Sequence, residues 1–253
     1  MTIVTRIKAA AIHLAISVAI AVLAVLFSVL VWYPPPLFEI MGGLGITAIM
    51  VGVDVALGPL ITLFIFNTRK PRRELVMDYS IIGLVQIAAL VYGISVLAQA
   101  RPVYVVFVKD RFNIVRPIEL GEVEASKLKY PEFMTPPWTG PRNVVAVAPT
   151  DPAERTKLLD SALSGKGDIE TMRQYYAPYE ERVSDVVKAL RSVEELRKKR
   201  ADQSAEIDRA IKDTGLQENQ LGYLPYVGKK KDIAVLIEKA NGAVRGYAKV
   251  DPW

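Results

Sequence analysis

The sequence predicts a membrane protein in two parts. Three N-terminal transmembrane helices are followed by an extracytoplasmic α+β domain with an antiparallel sheet and a long amphipathic helix. Three observations predict it. Apolar runs at Ala9–Trp32, Ile40–Phe66 and Tyr79–Ala98 each supply about the 20 residues that a helix needs to cross a bilayer. Basic residues gather at Arg6 and Lys8, and again at Arg69, Lys70, Arg72 and Arg73. Beyond Ala100 the continuous apolar pattern gives way to mixed sequence with β-branched and aromatic runs. The expected division is 1–100 for the membrane region and 101–253 for the outer domain.

The first run, Ala9–Trp32, exceeds the roughly 7–15 apolar residues of a signal-peptide core. No small-residue cleavage site precedes Tyr33-Pro34-Pro35-Pro36, so it reads as a retained helix. His13, the only histidine in the chain, lies toward its basic end, where an interfacial or interhelical hydrogen bond is the expected role and a proton relay the alternative. The second run carries one carboxylate, Asp54, and a charge at mid-bilayer costs roughly 2.5–3.5 kcal/mol on insertion scales. Gly58 follows four residues later, then Pro59, whose missing N–H predicts a kink. Asp54, Gly58 and Thr62 share one face by i, i+4 spacing and form a small polar notch. Ala48, Gly52 and Ala56 form a second row of small residues, of the kind that lets another helix approach closely. The third run, Tyr79–Ala98, contains Gln86, which with Ser80 could satisfy Asp54.

The loop Tyr33–Glu39 lacks Lys and Arg, whereas Asn67–Asp78 holds four basic residues. By the positive-inside rule the N-terminus and the second loop are cytoplasmic, and everything after the third helix lies outside.

In the outer domain, Val103–Val108 and Phe112–Val115 flank Lys109-Asp110 and predict a hairpin. Glu119–Pro141, with four prolines around Trp138, reads as a long loop. Asn143–Ala148 is a candidate strand. Thr150-Asp151-Pro152 signals a helix start, and helices are expected over Pro152–Ser164, Ile169–Tyr176 and Pro178–Asp213. In the last of these, Val183, Val187, Leu190, Val193 and Leu196 recur every three or four positions. Strands over Tyr223–Val227, Asp232–Ile237 and Ala243–Val250 close the chain, with Asn241-Gly242 as a hairpin turn.

Composition narrows the chemistry. With no cysteine, disulfides and thiolate catalysis are excluded. Residues 101–253 carry 26 basic against 23 acidic residues, too even a balance for a nucleic-acid footprint. No P-loop, dinucleotide glycine fingerprint, zinc-protease helix or nucleophile elbow occurs. No cofactor is expected, and neither is an enzyme. Two other classes stay in view: a small transport subunit using Asp54 as an ion or proton site, and a membrane-anchored envelope enzyme with its chemistry near Asp110, Arg111 and Trp138.

Several stretches carry a family resemblance. Val53-Asp54-Val55-Ala56-Leu57-Gly58-Pro59-Leu60-Ile61-Thr62-Leu63, then Phe66-Asn67 and a basic loop, resembles the second helix of the type IV pilin accessory protein family, TfpX/TfpZ. Leu84-Val85-Gln86 with Tyr92-Gly93, the run Ala100–Tyr104 and Asp110-Arg111-Phe112 are similar as well. So are Leu224-Pro225, Gly228–Asp232 and the closing Val250–Trp253. The resemblance implies a multi-pass protein of the bacterial inner membrane with a periplasmic domain, acting in type IV pilus biogenesis as a chaperone or assembly modulator of its pilin. The partners so implied are the major pilin, further pilus assembly components and membrane lipid, with no nucleic acid. Ala48, Gly52, Asp54, Ala56, Gly58 and Pro59 would meet the pilin helix, and Tyr104 and Trp138 the pilin head.

Overall fold

The computed structural model describes residues 3–52, 55–56, 58–65 and 71–253. Its chain separates into two compact units, residues 1–34 with 42–100, and residues 35–41 with 101–253. The helices before the sheet are α1 (Ile3–Phe27), α2 (Leu37–Ile40), α3 (Gly43–Gly52), α4 (Gly58–Ile65) and α5 (Arg72–Ala100).

In the first unit, α1 is prolonged by one wide turn, Ser28–Trp32, closed where Tyr33 N–H donates to Ser28 O at 2.8 Å. Val4–Trp32 and Arg72–Ala100, 29 residues each, are the two helices among the described residues long and apolar enough to cross a membrane. The expected third continuous helix over Ile40–Phe66 is therefore overturned. Its local chemistry explains why. Gly42 takes a left-handed φ of 76° after α2, a conformation glycine adopts without penalty. Further on, Pro59 is buried in α4, and residues 53, 54 and 57 before it lie outside the described ones.

α1 and α5 run in the same direction. Ala9, Ile12 and Ile16 lie beside Tyr79, Ile82 and Gly83, and further on Ile20, Leu23 and Phe27 lie beside Leu90 and Ile94. Tyr33 Oη donates to Leu97 O at 3.1 Å near the far ends. Parallel neighbours require the connecting chain to return, and it does so through α3, packed on α5, and α4, packed on α1 and α5.

The second unit is a sheet with helices against it. Its strands are β1 (Tyr104–Val108), β2 (Arg111–Val115), β3 (Arg142–Ala146), β4 (Tyr176–Pro178), β5 (Arg191–Ser192), β6 (Leu221–Val227), β7 (Ile233–Glu238) and β8 (Val244–Ala248). Spatial order is β4-β3-β1-β2-β6-β7-β8, with β5 also on β6. The β1–β2 and β7–β8 hairpins form as their turn residues predict. The sheet is mixed, however, because β1 pairs β3 in parallel and β2 pairs β6 in parallel. This corrects the expected antiparallel sheet.

Helix α6 (Pro152–Leu163) starts at Asp151, whose carboxylate accepts from Ala153 N–H. The stretch expected as a helix over Ile169–Tyr176 instead forms two single turns before β4. The long amphipathic helix over Pro178–Asp213 is likewise replaced by α7 (Val183–Lys188), β5, α8 (Val193–Lys199) and α9 (Ser204–Thr214). The break falls where Arg191 and Ser192 pair with Tyr223 and Gly222 of β6. Ser192 then caps α8 by accepting from Glu195 N–H at 3.2 Å. Gly215 ends α9 at φ 70°, a left-handed helix cap.

One buried cluster joins α8 and α9 to the sheet through Leu196, Ile207, Leu221, Tyr223 and Leu236. Each such side chain contributes on the order of 1.5–3 kcal/mol when removed from water. A second gathers Tyr104, Phe133, Val144 and Tyr176. The short α2 segment belongs to this unit as well. Ile40 O accepts from Lys230 N–H at 2.9 Å, and Glu39 pairs with Lys249.

Candidate functional site

Gly58 and Thr62, two of the three residues expected to form a polar notch, lie beside a histidine. Gly58 and Pro59 are buried at the start of α4, and Thr62 one turn on is 1% exposed. Thr62 Oγ1 lies 2.6 Å from His13 Nδ1 of α1, and Gln86 Oε1 of α5 lies 2.8 Å from His13 Nε2. With the ring proton on Nε2, His13 donates to Gln86 while Nδ1 accepts from the Thr62 hydroxyl. Neither ring nitrogen is then left unpaired. Three helices are thus tied at one point. Side-chain hydrogen bonds between membrane helices are worth about 0.6 kcal/mol on average and up to about 1.7.

Gly58 makes this knot possible. A Cβ placed there would run into Gln86 Nε2, 2.9 Å from Gln86 Cδ and 3.1 Å from His13 Nε2. The Gln86 amide lies over the bare Cα, so any larger residue at position 58 must displace the end of that side chain.

The other expected site residues fall in different places. Ala48 and Gly52 are exposed on α3, beside Leu44 and Ile49, which are themselves among the most exposed apolar residues. A Cβ on Gly52 would meet nothing within 4 Å. Ala56, beyond the end of α3, is exposed too. This small-residue row is an open face of the first unit. Asp54, expected beside Gly58 and Thr62, lies outside the described residues. Tyr104 is fully buried, its ring packed edge-on against Phe133 and Tyr176 at centroid distances of 6.1 and 5.1 Å. It is a core residue of the second unit. Trp138 is 62% exposed, with the Arg101 guanidinium 4.9 Å from its ring centroid, a cation–π contact that holds the indole at the surface.

One surface feature of the second unit was not foreseen. Between α6 and residues 127–130 runs a groove of about 670 Å³, carrying Lys127, Lys129, Lys157 and Arg182 on its walls. These cations are scattered over more than fifty positions, so no run of sequence reveals them. Burial pushes the phenol of Tyr176, which lines the groove, far above its usual range and, elsewhere in the unit, moves that of Tyr179 up to about 12. Among the described residues no group of three His, Asp and Glu side chains could hold a metal ion.

Comparison with known proteins adds the family. The model of "Fimbrial assembly protein FimB" matches residues 1–42. A "Fimbrial assembly protein, serogroup I" from Dichelobacter nodosus is 28% identical over 250 residues, covering 97% of this chain and 95% of the relative. The serogroup E1 protein of the same organism is 28% identical with the same coverage. The relative from serogroups C1 and C2 is 37% identical over 108 residues, covering 43% of this chain and 82% of its own length. No solved structure matches. The resemblance to type IV pilin accessory proteins points in the same direction: this chain belongs to the fimbrial assembly protein family.

Proposed function

We propose that this protein is an inner-membrane accessory factor for type IV pilus biogenesis, a chaperone or assembly modulator that binds its pilin through both units. The observation that carries the reading is the alignment with fimbrial assembly proteins over 97% of the chain, which spans the apolar helices and the sheet alike. Orientation follows from charge. α1 and α5 run parallel, and both begin among basic residues, Arg6 and Lys8 in one, Arg72 and Arg73 in the other. Their first turns therefore face the cytoplasm, and the chain leaving α5 enters the periplasm. Ala48, Gly52 and Ala56 offer an open small-residue face to the pilin's apolar helix, where close backbone approach drives association in lipid. Trp138 offers the pilin head an exposed aromatic anchor. The His13–Thr62–Gln86 knot serves that face by fixing α4 between α1 and α5.

Site-specific photocrosslinking in piliated cells tests this, with probes at Gly52, Ala56 and Trp138. Capture of the major pilin from both units is expected, together with loss of surface pili when the protein is deleted. Normal piliation in the deletion strain, or capture of lipid and unrelated envelope proteins alone, would overturn the proposal.

A further inference from the structure

The basic groove of the second unit and the helix beside it belong together. α6 has twelve residues and buries none of them. A helix that short is marginal in water unless an apolar face packs on something. Its Leu159 and Leu163, one turn apart, are 58% and 78% exposed. The groove runs along the adjoining face of the same helix, from which Glu154, Lys157 and Leu158 line it. Lys127, Lys129, Tyr130 and Tyr175 line it as well.

The charges do not cancel within the groove. Lys127 pairs with Glu124 at 2.8 Å and Arg182 with Asp185 at 3.4 Å. Glu181, nearby, accepts from Tyr130 Oη at 2.5 Å. Lys129 rests over the Tyr130 ring at 5.1 Å, and neither it nor Lys157 is in a carboxylate ion pair among the described residues. Glu154 is the one acidic residue in the lining. Free cations, tyrosine hydroxyls and a neighbouring leucine pair suit a ligand carrying carboxylates, backbone amides and apolar side chains together. A sulfated or phosphorylated polymer would use the cations and leave the leucines in water.

We propose that this groove is the docking site for an extended acidic peptide segment of a partner protein. Its carboxylates meet Lys129 and Lys157, and an apolar side chain covers Leu159 and Leu163. The inference stands on the second unit alone and does not depend on the partner named above.

The test uses the whole chain in nanodiscs of zwitterionic lipid, panned against a displayed library of random linear peptides, with heparin-coated beads as the non-peptide polyanion. Acidic peptides that also carry an apolar residue should be enriched. Binding should fall about tenfold in Lys129→Glu/Lys157→Glu, fall also in Leu159→Ser/Leu163→Ser, and weaken as salt screens the charges. All four positions are exposed, so the variants should keep the unfolding temperature of the parent chain, which is measured alongside. The proposal is overturned by no enrichment over empty nanodiscs, by enriched peptides that either double variant binds equally well, or by equal capture on heparin.

Discussion

Replacing Gly58 by alanine tests the knot among the apolar helices directly. The added methyl would sit inside contact distance of the Gln86 amide, so the amide must swing away and release His13 Nε2. Overpacking of this kind costs about 1–3 kcal/mol, and the lost hydrogen bond adds about 0.6. Two smaller effects accompany them. Alanine is the better helix former by about 0.5–1 kcal/mol, whereas a Cβ just before Pro59 is disfavoured in a helix. These two are properties of α4 itself and are the same whatever occupies position 86. A double-mutant cycle therefore isolates the contact. In the Gln86→Ala background the clash with the amide has gone, leaving only the contact with His13 Nε2, and Gly58→Ala should cost at least about 1 kcal/mol less than in the parent chain. The assay is reversible unfolding of the whole chain in detergent micelles, followed by far-ultraviolet circular dichroism. Equal cost in both backgrounds would refute the close approach of Gln86 to Gly58 as the reason for glycine.

Three further outcomes follow from the second unit. Gly228→Ala would drive a Cβ to 2.5 Å from Ile40 O and against Lys231 O, backbone atoms that cannot step aside; a loss of roughly 1–3 kcal/mol and new protease cleavage near residues 35–41 are expected. Trp253→Ala removes an indole that lies 4.7 Å from the Arg111 guanidinium and donates to Asp232 at 2.8 Å, and should cost about 1–2 kcal/mol in thermal unfolding. Two carboxylates act with opposite sign on stability against pH. Burial works to raise the Glu119 pKa, but hydrogen bonds from Arg116 and Lys229 outweigh it and hold it below the usual range. Its contribution is complete above the unfolded value near 4.5 and disappears as pH falls through the lowered folded value. Burial, then the nearby Asp168, raises Glu170, whose ionisation above that range costs stability instead. Glu119→Gln should therefore destabilise the chain at neutral pH and Glu170→Gln should stabilise it, as read from unfolding midpoints between pH 3 and 7; reversal of either sign would reject that assignment.

Local chemistry made many elements legible. Asp151-Pro152 starts α6, Gly215 ends α9, and Asn241-Gly242 turns β7 into β8, because caps and turns depend on residues within reach of one another along the chain. His13 as an interhelical hydrogen bonder was also legible, since a lone imidazole in an apolar helix needs a partner. Its partners, Thr62 and Gln86, lie 49 and 73 positions away, and spacing along one helix cannot bring residues of three helices together. Three features were misread for identifiable reasons. Apolar composition over Ile40–Phe66 concealed the break at Gly42, since length and hydropathy do not register where a helix restarts. The stripe Val183–Leu196 runs on in sequence across the turn at Leu190–Ser192, yet only Val193 and Leu196 of it are buried, and the buried residue of α7 is Val186, off the stripe. Ser192 followed three residues later by Glu195 was the signal that a new helix starts there. The parallel pairing of β2 with β6 joins segments more than a hundred residues apart, and no local pattern encodes it.

The α2 segment has a consequence for the order in which the chain is made. Residues 35–41 leave the ribosome with the apolar helices, yet their hydrogen-bond partners at Lys230 and Lys231, and the ammonium of Lys249 for Glu39, come near the end of translation. The sheet therefore cannot finish folding around its own strands alone; it closes on a strand of chain that has been waiting since the first helix was threaded. A fragment beginning at Arg101 would lack the buried side chains of Leu37 and Ile40 and would leave the Gly228–Lys231 turn without the carbonyl it folds around. Cutting the gene between the two parts severs a piece of the second from itself.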